Sequence, residues 1–362
     1  MDRLQYHRFR DAGIADWISA EGAEDKVNKY IDFNEIKMIW KDKRRRKPYL
    51  AALLLAVLYI GDIFFLSSIL ARHLGIAGNI VHEMILAGMG VGVFLILKGK
   101  LKVIFPFKKP QWIKIAGTFV LWLGTYLLTM AVTLIVTFFF PSEVMGASEG
   151  VNYLVNNISV MLGMLIVAIT PAICEEIAFR GALLSCFRGA KSKWTGIIIV
   201  SLFFGACHGS IWRMIPTAML GVAMGYILLE TENMIYNILF HFINNAVPVL
   251  LLGAATAFVE LFGGEDAWEM AESMSSAVDV RMPLASVGMY MMWAGGAPLL
   301  IYAGRYLLHR GQPGYDRGLF PPEKKKIMAV MAGAGGAVMF FGFLLMAVSI
   351  CLEMAAASRY MF

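Results

Sequence analysis

Three short stretches place ionisable residues inside apolar sequence. "TPAICEEIAFRG", Thr170–Gly181, carries Glu175, Glu176 and Arg180 directly after the uncharged "ISVMLGMLIVAI". "FFGACHGS" carries His208, and "LFHFINNAV" carries His241, Asn244 and Asn245. A charge at the centre of a membrane span costs about 2.5–3.5 kcal/mol, so the first stretch alone implies a penalty on the order of 8 kcal/mol. Something must offset it. Glu176 and Arg180 are four residues apart and share a helix face, which makes them a structural ion pair. Glu175 lies about 140° round the helix from Arg180 and needs another partner. A carboxylate and an imidazole can hold and deprotonate a water. A second histidine and an amide can donate to an oxyanion. Alternatively, Glu175 and His208 can ligate Zn2+, which lowers the pKa of its bound water to about 7.

The elements that must position these groups are membrane helices. The chain has 362 residues, 59% of them apolar and only 16% charged, with a mean hydropathy of +0.66. Soluble domains have about 45–50% apolar and about 25% charged residues. The fold class is therefore all-α, a polytopic helical membrane protein. Stretches near 49–71, 79–97, 115–140, 157–187, 195–212, 214–229, 234–258, 283–306 and 327–351 read as nine spans. Lys and Arg gather in alternate loops. The N-terminal arm holds 12 of the 32, "KGKLKVIFPFKKPQWIK" holds six and "RGAKSK" holds three. The intervening "PSEVMGASEG" has none. This asymmetry puts the N-terminus in the cytoplasm and the C-terminus outside. The organisation is a basic arm over 1–48, membrane helices over 49–154, a core over 155–250 that bears the chemistry, and further membrane helices over 251–362. The first apolar run is an uncleaved anchor, and residues 15–40 read either as a surface helix or as a solvated arm.

Counting 1.5 Å per residue from the inner span ends, Glu175 and His208 lie about 20 Å deep. His241 and Asn245 lie about 10 and 16 Å deep, so the four groups fall in one slab of the bilayer. His73, His82 and His309 fall near span ends and read as solvated interfacial histidines. Cys174, Cys186, Cys207 and Cys351 read as small core residues. Gly221 and Gly225 form a small-xxx-small pair suited to close helix packing, and "AGAGGA" in the last span reads the same way. "GASEG" at Gly146–Gly150 matches the G-x-S-x-G elbow pattern but lacks its strand–turn–helix setting.

In this order and spacing, "EEIAFR", "FGACH" and "HFINN" resemble the CAAX protease and bacteriocin-processing family of intramembrane endopeptidases. The resemblance covers roughly residues 155–250. It implies an all-helical core whose site opens to the cytoplasm, in a multi-pass protein of the cell membrane. It also implies Glu175 and His208 on the attacking water, His241 and Asn245 on the oxyanion, and Glu176, Arg180 and Phe204 in supporting positions. The expected partners are the lipid bilayer and a peptide or protein substrate, prenylated or leader-bearing, with no nucleic acid. The resemblance does not fix whether Zn2+ takes part. Two other readings stand beside the peptidase: a non-proteolytic scaffold or bacteriocin-immunity protein, and a proton-coupled transporter.

Overall fold

The structure, a computed structural model, describes residues 48–147, 158–262, 283–312, 315 and 318–359. The basic arm with its 15–40 segment, the acidic loop after residue 262 and most of "GASEG" lie outside the described residues. Among the described residues the regular structure is entirely helical. Its helices are α1 (Pro48–Leu74), α2 (Ala77–Ile96), α3 (Trp112–Phe139), α4 (Val160–Leu183), α5 (Lys193–Ala206), α6 (Ile211–Thr231), α7 (Met234–Phe262), α8 (Leu284–His309, turning at Gly295 and Gly296) and α9 (Lys325–Arg359). Eight of these are long and apolar enough to cross a membrane.

The exception corrects the fifth expected span. α5 has 14 residues, about 21 Å of helix against a hydrocarbon core of about 30 Å. It stops at Ala206, and the chain reverses through Gly209 at φ +72° into α6. His208 therefore sits in the turn of a helical hairpin rather than inside a span. The two arms pack closely through the pair that the spacing picks out. A Cβ added at Gly221 would lie 3.0 Å from the Ser201 Cβ, and Gly225 faces Ile197. In α9, Gly335 of "AGAGGA" faces Gly295 of α8. The outer face of α5, with Ile198, Ile199 and Leu202, is exposed, as a lipid-facing surface requires.

α4 is not a plain α-helix. It winds as a π-helix over Met164–Ile169 and again over Glu176–Leu183, a distortion common at functional sites. Pro171 lies between the two stretches. An α-helical ladder would send the residue-171 N–H to the Val167 carbonyl, but proline has none. Farther along, the Tyr59 hydroxyl of α1 donates to the Ala178 carbonyl at 3.1 Å. Gly90 of α2 lets this arrangement close, because a Cβ there would lie 2.9 Å from the Tyr59 oxygen and 3.1 Å from the Ala182 Cβ.

Gly90→Val should therefore overpack the α1–α2–α4 contact and cost about 1–3 kcal/mol. Thermal unfolding in detergent should show a clear drop. Gly88→Ala, at a position with nothing within 4 Å, should leave the midpoint unchanged; equal behaviour of the two variants would refute this packing.

Candidate active site

α4 supplies Glu175, Glu176 and Arg180, the α5–α6 hairpin supplies Phe204 and His208, and α7 supplies Asn237, His241, Asn244 and Asn245. The centre is the Glu176 carboxylate, which is fully buried. Its Oε1 accepts from Arg180 Nη1 and from His241 Nδ1, each at 3.0 Å. Its Oε2 accepts from Asn237 Nδ2 at 3.3 Å, and the same nitrogen donates to the Met224 carbonyl at 2.6 Å. The Arg180 guanidinium lies 4.0 Å from the Phe204 ring centroid, a cation–π contact in a desolvated setting. Phe204 also packs against both imidazoles, at 4.8 Å from the His208 ring and 6.0 Å from His241. The expected Glu176–Arg180 pair is thus present, and it also anchors α7 to α4.

This anchoring sets the state of His241. A carboxylate only accepts, so His241 Nδ1 carries a hydrogen. Nε2 faces Glu175 Oε2 at 3.7 Å, too far for a hydrogen bond. Nε2 offers a lone pair when the ring is neutral and an N–H when it is protonated. Likewise, His208 Nδ1 donates to the Phe204 carbonyl at 2.9 Å, so a neutral His208 presents Nε2 as an acceptor. His208 lies within electrostatic reach of Glu175 and His241. Depth counting puts Glu175 and His241 in one slab of the bilayer, about 10 Å apart along the helix axes; the structure brings them to 3.7 Å. α7 starts partway up α4, with Met234 packed against Gly181 and its N–H bound to the Pro106 carbonyl at 2.8 Å.

Asn245 completes the site by way of the proline gap. Its Nδ2 donates to the Val167 carbonyl at 3.0 Å, the group that Pro171 leaves without its α-helical partner. Asn244 Nδ2 donates to Asn245 Oδ1 at 3.2 Å, which fixes the amide's orientation and leaves the second Nδ2 hydrogen available. Glu175 is the least engaged member. Its side chain is 15% exposed, and its buried Oε2 has no hydrogen-bond partner.

Asn237 escaped the reading of the sequence, although it completes an N-x-x-x-H-x-x-x-N series with His241 and Asn245 along one face of α7. Two histidine expectations need correction. His82 is largely buried, with Nε2 3.0 Å from Asp62 Oδ2. His309 is buried, with Nε2 2.6 Å from Glu230 Oε2. Each lies near a span end by count, but a neighbouring helix supplies a carboxylate at that level. Cys174, Cys186 and Cys207 are buried as expected, whereas Cys351 is exposed on α9.

The donor set does not fit a resident Zn2+. A catalytic zinc takes three protein ligands. Among the described residues, no three His, Cys, Asp or Glu side chains converge to hold a metal ion, and Glu175 with His208 makes two.

Glu176→Ala should strand Arg180 as a buried unpaired charge and free His241, at a cost of about 3–5 kcal/mol. Lower expression and a lower melting temperature should accompany any loss of activity. A stable but inactive Glu176→Ala protein would contradict the anchoring role.

No curated protein and no solved structure matches the chain. Residues 157–247, about a quarter of the chain, match a family model and include α4, α5, α6 and the part of α7 that reaches Asn245. The segment that builds this site thus carries the signature of the Type II CAAX prenyl endopeptidase Rce1-like family.

Proposed function

We propose that the protein is an intramembrane endopeptidase that hydrolyses a peptide bond in membrane-associated peptides or proteins. The observation that carries this reading is the division between the two adjacent glutamates. Glu176 is saturated by Arg180, His241 and Asn237. Among the described residues the buried Glu175 Oε2 has no hydrogen-bond partner, and Glu175 stands beside two imidazoles. A residue pair built only to hold helices together would leave neither carboxylate open.

In this reading Glu175 Oε1 and His208 Nε2 accept the two hydrogens of a water. The water oxygen attacks the scissile carbonyl as its proton passes to Glu175. The oxyanion takes hydrogen bonds from the free Asn245 Nδ2–H and from protonated His241 Nε2. Glu175 then gives the proton to the leaving amine, which restores the carboxylate. Glu176 keeps His241 Nδ1 engaged throughout, so the ring presents Nε2 without reorganisation. The loops bearing Lys108, Arg188 and Lys193 gather at one end of the bundle, where Lys108 pairs with Glu232 and Lys193 with Glu230. By the distribution of basic residues that end is cytoplasmic, in a multi-pass protein of the cell membrane, and the site opens toward it.

Purified protein in detergent with a peptide library tests the reading. Glu175→Gln should abolish cleavage while the protein stays folded; near-normal turnover would move the base to another residue. Asn245→Ala should lower kcat about 10²–10³-fold with little change in KM. Asn244→Ala removes only the group that orients Asn245 and should be milder. A wild-type protein that cleaves nothing in the library would favour the scaffold or immunity reading.

A further inference from the structure

A second group of ionisable residues lies within electrostatic reach of Glu175, on helices outside the matched segment. Asp62 of α1 and Glu83 of α2 are buried, at 3% and 8% exposure. His82 Nε2 lies 3.0 Å from Asp62 Oδ2, while His82 Nδ1 is 3.9 Å from Glu83 Oε1, beyond hydrogen-bond range. The imidazole is therefore nearer to Asp62 than to Glu83, although it is not aligned for a hydrogen bond with either. Glu83 Oε2 is buried and has no hydrogen-bond partner. Among the described residues no Lys or Arg pairs with Glu83.

The register of α2 on α4 places that carboxyl. Gly90 packs against Ala178 and Ala182. Two turns earlier on each helix, Glu83 comes level with Cys174 and Glu175, and both lie within its electrostatic field. Asp62 approaches from α1, three residues past Tyr59, whose hydroxyl is bound to the Ala178 carbonyl. His241 faces Glu175 from α7. Glu83 Oε2 and Glu175 Oε2, both buried without a hydrogen-bond partner, thus belong to facing helices at one level; the two Asp62 oxygens are also without one, but His82 Nε2 lies 3.0 Å from Oδ2. A buried carboxylate with no cation and no donor is strongly disfavoured. A neutral carboxyl is a donor, and the open acceptor beside it is Glu175 Oε2.

We propose that Glu83 is a positioning residue for Glu175: it carries a proton and donates it as a hydrogen bond to Glu175 Oε2, leaving Oε1 turned to the site. The proposal rests on the peptidase reading for its kinetic consequence, though not for the hydrogen bond itself. The His82 ring sits closer to Asp62 than to Glu83, so Glu83 has no cation of its own among the described residues. The arrangement fixes the carboxylate of the base through its second oxygen, as the Glu176 network fixes His241.

Replacement chemistry separates this role from packing. Glu83→Gln keeps an N–H donor of the same reach and should recover most of the turnover. Glu83→Leu keeps volume but no donor, and should lower kcat about 10- to 100-fold with KM little changed. A packing role would reverse that order. A second readout needs no activity and survives failure of the peptidase reading. Infrared spectra of the purified protein should contain a protonated-carboxyl band that disappears in Glu83→Gln and shifts in Glu175→Gln. The proposal is overturned if Glu83→Leu matches wild type, if Glu83→Gln is as impaired as Glu83→Leu, or if the band is absent from wild type or unchanged in both variants.

Discussion

A single carboxylate with no access to solvent organises this site. Glu176 is buried in a span, so its charge must be met inside the protein. It is met by three groups from two helices: Arg180 on its own helix, and His241 and Asn237 on α7. None of the three can be removed without leaving a buried polar group unpaired. The contact therefore fixes the rotation of α7 against α4, and with it the positions of His241 and Asn245. The cost of burying an ion pair in lipid is offset by a geometry that few other interactions would specify so narrowly.

The other helices serve that geometry. Pro171 and the π-turns of α4 leave the Val167 carbonyl for Asn245, and Tyr59 supports the second π-stretch at Ala178. α5 stops short at the turn into α6, which delivers His208 to the same level while Phe204 covers Arg180. Farther from the site, α8 is tied to the hairpin's other end, where His309 and Lys193 meet Glu230. Each attachment uses a polar group that the bilayer cannot satisfy.

Much of this was legible in the sequence. The apolar runs gave the all-helical membrane architecture, and the spacing of Glu176 and Arg180 gave their ion pair. The three motifs brought Glu175, His208, His241 and Asn245 to one slab of the bilayer. What stayed hidden depends on how one helix slides and turns against another. Depth counting measures each helix from its own end, so it gave Glu175 and His241 a common slab but not their contact, and it assigned His82 and His309 to the interface. Asn237 was visible only as one step of a four-residue series, with no sign that its partner was Glu176. The shortness of α5 follows from a turn at Gly209 that an uninterrupted apolar run conceals.

The central claim is that Glu176 holds His241 in place. A double-mutant cycle on unfolding stability measures this directly, with Glu176→Gln, His241→Asn and the double variant compared in one detergent. Residues in direct contact show coupling of about 0.5–3 kcal/mol, and the account expects about 1 kcal/mol or more here. Effects that add to within about 0.5 kcal/mol would mean that the two side chains do not act on each other. The site would then have to be held together by something other than this carboxylate.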